Sequence, residues 1–272
     1  MRRIINHHPS RAGAVVAGIV PIVVMLALYF SASAERLAEN PRDKLMPGLS
    51  QIWDAILLMA VQVDVATGQI LLWSDTLVSL GRLLSSMAIS TAIGLVVGVL
   101  VGFIPHLRAA FSPLLSILSL IPPLAILPIL FIVFGLGEVS KVVLIVIGIA
   151  PYLVRDVALQ VVQIPREQII KAQTLGASTW HMIMHVVVPQ VMPRLLASLR
   201  LSLGGGWLFL ISAEAIASDS GLGYRLFLVR RYLAMDIILT YVAWITLLAF
   251  LADYGLKYLT ARWYPWSTQT EG

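Results

Sequence analysis

Residues 83–137 read LLSSMAISTAIGLVVGVLVGFIPHL, then Arg108, then AAFSPLLSILSLIPPLAILPILFIVFGLG, so a single formal charge interrupts 55 residues. The run before Arg108 is 25 residues long and the run after it is 29. A helix rises about 1.5 Å per residue and needs about 20 apolar residues to cross the hydrocarbon core of a bilayer. Each run can therefore span, and one basic residue separates the two crossings. This predicts an all-α, polytopic membrane protein.

Composition extends that reading to the whole chain. Of 272 residues, 59% are hydrophobic and 12% charged, with a mean hydropathy of +0.90. Soluble domains are roughly half apolar and a quarter charged, so a water-soluble enzyme is excluded. The absence of cysteine removes disulfide frameworks, thiolate metal sites and cysteine nucleophiles. The net charge of +5 is small and the 19 Lys/Arg are scattered, so nucleic acid is not an expected partner.

Upstream, Ala12 to Ala34 is a further charge-free run of 23 residues. It exceeds the roughly 7–15 apolar residues of a signal peptide and reads as a retained helix. Downstream, Lys141 and Arg155, Arg200 and Glu214, and Asp236 and Asp253 bracket shorter uncharged runs whose apolar character continues beyond the brackets. The predicted spans are 12–34, 83–107, 111–135, 139–163, 195–218 and 235–259, in one membrane domain over 12–266 with tails at 1–11 and 267–272. Ionisable groups inside helix ends are costly in lipid and face protein or water, so the C-terminal helices are expected to line something polar.

Six spans place both termini on one side. With that side inside, eleven Lys/Arg fall on inner loops and ends, Arg2 and Arg3 among them, against seven or eight outside, with Arg82 at an outer helix start and Arg42 in the outer segment. The bias favours cytoplasmic termini. In the outer segment 35–75, Leu49, Ile52, Trp53, Ile56, Leu57 and Ala60 recur at helical spacing, which fits an amphipathic helix on the interface or one packed on the bundle.

The connection between the fourth and fifth helices is long and patterned: REQIIKAQTLGASTWHMIMHVVVPQVMP, residues 166–193. Ile169, Ile170, Gln173, Leu175, Trp180, Ile183, Met184 and Val187 can form the apolar side of one or two short helices, broken at Gly176 and terminated by Pro189 and Pro193. A helical pair outside the membrane with an exposed apolar side calls for a cytosolic partner to cover it.

The run Lys171-Ala172-Gln173-Thr174-Leu175-Gly176-Ala177, followed by Val186, Val188 and Pro189, resembles the EAA loop of ABC-importer permeases, the inner-membrane subunits of binding-protein-dependent transport systems. Ala172, Gly176 and Pro189 match that pattern with its spacing intact, Val186 and Val188 replace Ile and Leu, and Lys171 and Gln173 depart from the Glu and second Ala. Other stretches resemble the branch that carries nitrate, sulfonates, taurine and bicarbonate: Ile121 to Pro128, Phe134 to Glu138 with Ser140-Lys141, and Ala213-Glu214 with Ser220 to Tyr224. The resemblance covers about 72–266 in order. It implies a permease subunit of the bacterial inner membrane that forms the pathway for a small polar solute. It also implies a second permease copy as a homodimer, an extracytoplasmic binding protein, and cytosolic ATPase subunits that dock on the loop at about 164–190. No GxxxxGK[ST] stretch is present, so ATP and magnesium belong to the partner ATPase; the chain itself needs no cofactor and catalyses no reaction.

Several residues carry two readings each. Gly176 supplies the bend between coupling helices, where a Cβ would obstruct the turn or the ATPase, or is an ordinary helix C-cap. His181 and His185 have metal-ligand spacing but no third ligand near, which makes solvated or interface histidines the expectation. Of the five histidines, His7, His8 and His106 also fall in polar or loop regions, which excludes an intramembrane serine protease. Glu214 lies roughly 21 Å beyond Arg200 along the fifth helix, and either gates the pathway, pairing with Arg225 or Arg230, or snorkels. Arg155 and Asp156 are expected as a local or interdomain ion pair, and Asp253 to pair with a neighbouring helix or Lys257. Gly94, Gly98 and Gly102 permit close helix approach. Gly204, Gly205 and Gly206 read as a hinge or a pathway lining, or as tight packing. Arg225, Arg230 and Arg231 form an outer basic cluster. An ion-coupled transporter or channel is the alternative class, but it gives no reason for the patterned inner loop.

Overall fold

The computed structural model describes residues 10–267 apart from Arg42 and Ala66. Arg2, Arg3, His7, His8, Arg42, most of the expected N-terminal tail and all but Ser267 of the C-terminal one lie outside the described residues. Among those described the chain is all α-helical, with no strand. The helices are α1 Arg11–Glu39, α2 Leu49–Ala60, α3 Leu71–Phe103, α4 Pro105–Leu120, α5 Leu127–Phe134, α6 Glu138–Val162, α7 Arg166–Thr174, α8 Thr179–Met182, α9 Val188–Ala217, α10 Leu222–Arg230 and α11 Met235–Trp263. Five helices are long and apolar enough to cross a membrane, and α4 with α5 makes a sixth crossing if that bent pair is one span.

Two predicted spans are corrected. The third, expected unbroken over 111–135, bends by 82° between α4 and α5. Pro122, Pro123 and Pro128 lack backbone N–H donors, and the residue before each proline is pushed out of the α region. Ile121 and Pro122 are accordingly extended, and a 3₁₀ turn at Pro123–Ile126 restarts the helix. The second span starts at Leu71, not 83, so Asp75 and Arg82 lie inside the helix. The outer segment is correspondingly shorter, since α1 also continues to Glu39. Arg108, the lone charge of the opening stretch, turns back to donate to the Gly102 carbonyl, which neutralises an orphan acceptor at the end of α3.

The bundle is organised on α3, α6 and α9. In lipid, helices gain little from hydrophobic transfer to one another, so close packing and hydrogen bonds decide association. The glycine stripe of α3 serves that purpose. A Cβ at Gly94 would lie 2.8 Å from Leu153, at Gly98 2.7 Å from Val157, and at Gly102 2.6 Å from Val161 of α6. Gly148 of α6 accommodates the Phe209 ring of α9 in the same way. The amphipathic α2 is packed on the bundle against α11 with Ala55 and Met59 buried, and Trp73 of α3 donates to the carbonyl of Ala60 at its end. By contrast, α1 buries only Ser33 among its described residues, and its far end is pinned by Tyr29 and Ser33 donating to the carbonyls of Pro47 and Met46.

Candidate functional site

The loop between α6 and α9 folds as the expected helical pair. Pro165 opens α7, Glu167 sits in its first turn and Lys171 in its last, each complementing the helix dipole. At its end Gly176 N–H donates to the Gln173 carbonyl at 2.9 Å and Ala177 N–H to the Ala172 carbonyl at 3.0 Å. These two bonds with Gly176 at φ +80° form a Schellman C-cap. A Cβ at Gly176 would meet nothing within 4 Å, so the backbone angle, not crowding within the chain, is what requires glycine. Ser178 then caps α8 by accepting from His181 N–H.

Pro189 and Pro193 do not end the unit. A π-helical turn at Ile183–Val187 joins α8 to α9, which carries Pro189 at its start and Pro193 within. The wider turn shifts the carbonyl register just before the proline, which lets the helix continue. The result is one helical rod from Thr179 to Ala217, 39 residues long.

The apolar residues of the loop divide between two surfaces. Met182, Ile183 and Val187 are buried against the bundle, whereas Leu175 (86% exposed), Trp180 (65%), Ile170 and Met184 face outward. Lys171 and Gln173 are exposed as well, and Ala172 and Ala177 are half-buried beneath them. The rings of His181 and His185 stack at 4.6 Å, and among the described residues no third ligand group joins them. Gln190 of α9 donates to Gln168 of α7 at 2.9 Å, and Arg194 to Gln163 at 3.1 Å, which ties the loop to the rod.

At the opposite end of the rod lies a buried polar network. Asp75, Ser79 and Arg82 of α3 share one helix face and are each under 5% exposed. Arg82 donates to Glu138 at 2.6 Å on one side and to Glu214 at 2.7 Å on the other, with a further bond to the Ser220 carbonyl at 3.0 Å. Glu214, fully buried, also accepts from the Ser79 hydroxyl at 2.7 Å and from Gly223 N–H at 2.8 Å. Asp75 accepts from Gly221 N–H, Arg225 and Tyr241, while Lys141 reaches Glu138 and Ser218. Three carboxylates thus face three cations, and the 218–225 segment is sewn to α3, α6, α9 and α11. Gly221 makes this possible: its φ is +114° and a Cβ there would stand 2.6 Å from the Glu214 carboxylate. Although burial works against its charge, the Asp75 carboxylate beside it leaves the Arg225 guanidinium more firmly protonated than usual.

Several expected pairings change. Glu214 neither snorkels nor pairs with Arg225 or Arg230; its cation is Arg82, and Arg225 belongs to Asp75. Arg155 and Asp156 are not an ion pair, because Asp156 accepts from Gln160 and from Ser198 of α9. Asp253 takes Arg200 of α9 in a two-bond pair at 2.9 and 3.0 Å, not Lys257. No hinge forms at Gly204–Gly206, where α9 runs unbroken. Gly206 packs on Met87 and Leu83, whereas a Cβ at Gly204 would meet nothing within 4 Å. Asp75, Ser79, Arg82 and Glu138 were not singled out from the sequence, since Arg82 was read as a helix boundary. Their spacing inside an apolar helix is the signal that identifies them.

A cavity of about 380 Å³ opens at the break between α4 and α5, bordered by Ser119, Pro123, Tyr152, Arg155 and Phe209. Arg155 has no carboxylate within 4.0 Å among the described residues and turns its charge to this space.

Comparison with known proteins gives a consistent pattern. Residues 90–263 match the family described as binding-protein-dependent transport system inner membrane component. The chain is 30% identical to the taurine transport system permease protein of Escherichia coli K12 over 94% of its own length and 92% of the relative's. It is 29% identical to a putative aliphatic sulfonates transport permease of Bacillus subtilis, covering 72% of this chain and 71% of that one. With the nitrate import permease of Synechococcus elongatus it shares 30% identity over 54% of this chain and 53% of the relative. Inward-facing structures of the MetNI methionine ABC transporter share the fold, with a TM-score of 0.62 at 21% identity, over 70% of this chain and 95% of that one.

Proposed function

Because the chain belongs to the binding-protein-dependent transport system inner membrane components, and is a permease subunit of an ABC importer, we propose that it conducts a small anionic solute of the sulfonate or nitrate class and takes its drive from a cytosolic ATPase docked on residues 164–190. The observation that carries this reading is the outward apolar cap of Leu175, Trp180, Ile170 and Met184 on a helical pair continuous with a spanning rod. A monomer exposing such a cap on a polar side of the membrane leaves a patch that a partner covers. ATP and its magnesium sit in that partner, and the loop side, with both termini, is cytoplasmic.

Coupling follows from the mechanics of α9. Displacing α7 and α8 moves a rod whose other end is held by Glu214 in the buried network. The rod therefore tilts about its outer end, and the larger excursion falls at the inner end. Gly204, whose side is open, and the cavity bearing Arg155 and Tyr152 border the pathway in this reading. An unpaired cation inside a spanning helix is a functional group by default, and here it suits an anion. The outward apolar residues Leu201, Leu208 and Ile216 of α9 meet a second permease copy, which completes the pathway. A binding protein delivers solute to the opposite mouth.

The test is co-purification of the detergent-solubilised protein with its co-expressed ATPase subunit. Wild type is expected to bring the ATPase down, and Leu175→Asp/Trp180→Asp to lose it while keeping its thermal midpoint, because both side chains are exposed. Undiminished ATPase recovery with the double variant would sink the proposed docking surface.

A further inference from the structure

A second groove, of about 410 Å³, lies between α9 and α11 at the end of the bundle that carries the 166–193 loop. Its α9 wall presents Arg194, Ala197 and Arg200, and its α11 wall Lys257 and Thr260, with Trp266 at the rim. These positions recur at three- and four-residue steps, so each wall is a single helix face. The small Ala197 leaves the space that the cations surround.

Charge in the groove is unbalanced. Arg200 is neutralised by its two-bond pair with Asp253. Arg194 has only the neutral Gln163 amide as its partner, and neither Arg194 nor Lys257 has a carboxylate within 4.0 Å among the described residues. Two positive charges therefore converge on one opening without internal compensation.

Depth decides what meets them. The 30 residues of α9 and the 29 of α11 span roughly 45 Å, against about 30 Å of hydrocarbon. Each helix thus projects about 7 Å beyond the core at an end, roughly five residues. Arg194 is six residues from the start of α9, and Lys257 six from the end of α11. Both lie at headgroup level, and the edge-to-face pair of Tyr264 and Trp266 at 5.3 Å is the aromatic marker typical of that layer.

We infer that this groove holds the phosphate of an anionic phospholipid, with Arg194 and Lys257 as its counter-charges and Thr260 as a neutral hydroxyl partner. The acyl chains run along the lipid-exposed flanks of α9 and α11, where Leu201, Tyr254 and Tyr258 are uncovered by the rest of the chain. Gln190 and Arg194, which border the groove, are the residues that hold α7 and the end of α6. An occupied groove therefore braces the base of the loop through Arg194.

The test titrates the detergent-purified full chain with phosphatidylglycerol or phosphatidylcholine and reads bound lipid by native mass spectrometry. Wild type is expected to prefer phosphatidylglycerol. Arg194→Gln/Lys257→Gln is expected to lose roughly thirtyfold in affinity, the effect of two cations near an anionic surface. Arg194→Lys/Lys257→Arg keeps the charge and should retain the lipid. Arg230→Gln/Arg231→Gln makes the same charge change at the opposite end and should leave binding unaltered. Equal loss in that control would reduce the effect to net charge and overturn the site, as would full retention by the Gln double variant. Complete displacement of the lipid by millimolar inorganic phosphate would assign the groove to a free anion and overturn the lipid occupant.

Discussion

Replacing Arg82 by Met removes the one cation that touches Glu214. The magnitude can be worked from what each carboxylate retains. Glu138 has a side chain 61% exposed and keeps Lys141 at 3.2 Å, so water and a second cation absorb most of its loss. Glu214 is fully buried and keeps only neutral partners, the Ser79 hydroxyl and the Gly223 N–H. Stranding a buried charge in this way costs about 3–5 kcal/mol. At about 2–4 °C per kcal/mol for a chain of this size, the thermal midpoint of the detergent-purified protein should fall by roughly 6–20 °C. Tryptophan fluorescence on heating reads it. The second arm is Arg82→Met/Glu214→Gln, which removes the stranded charge and should recover more than half of the shift. Glu138→Gln alone should cost no more than about 1 kcal/mol. A fall below about 3 °C for Arg82→Met, or no recovery in the double variant, would refute the assignment of Glu214 as the buried charge that Arg82 compensates.

Three further outcomes follow from particular contacts. Gly221→Ala places a Cβ 2.6 Å from Glu214 at a φ of +114° and should cost about 2–4 kcal/mol, whereas Gly176→Ala, at φ +80° with open space around it, should cost about 1–2 kcal/mol; thermal midpoints of the two variants compare them directly. Gly98→Val drives a side chain into Val157 at 2.7 Å and the Val154 carbonyl at 2.9 Å, so α3 and α6 must separate, with a loss of at least about 3 kcal/mol and a drop in detergent-stable protein measured by size-exclusion recovery. Arg155→Gln should lower uptake of taurine, an aliphatic sulfonate or nitrate, whichever the reconstituted transporter carries, by about tenfold with ATP hydrolysis retained; unchanged uptake would remove Arg155 from the pathway.

The fold class and the helical loop were legible because each rests on a local rule. Charge-free length marks a span, and the order of Pro165, Gly176 and Ser178 marks a helix start, a left-handed stop and a new cap, all realised in the structure. What escaped was set by partners distant in sequence. Arg82 looks like the end of a span as long as its charge is counted alone; inside the bundle it is an ordinary interior residue of α3, because Glu138 and Glu214 arrive from two other helices. The same reason displaced Asp253 from Lys257 to Arg200 and Asp156 from Arg155 to Ser198. The prolines at 122–123 and at 189 show the complementary limit. Both sites remove backbone donors, yet the first bends the chain by 82° and the second is passed by a π turn within one rod. The difference lies in the flanks: two adjacent prolines with a third at 128 deny the α region to successive residues, while Pro189 stands at the start of a helix, where its missing N–H matters least. A single proline read by rule thus predicts a stop, and its position relative to its neighbours decides whether the stop becomes a break in a span or a joint that keeps α8 and α9 in line with the buried network beyond.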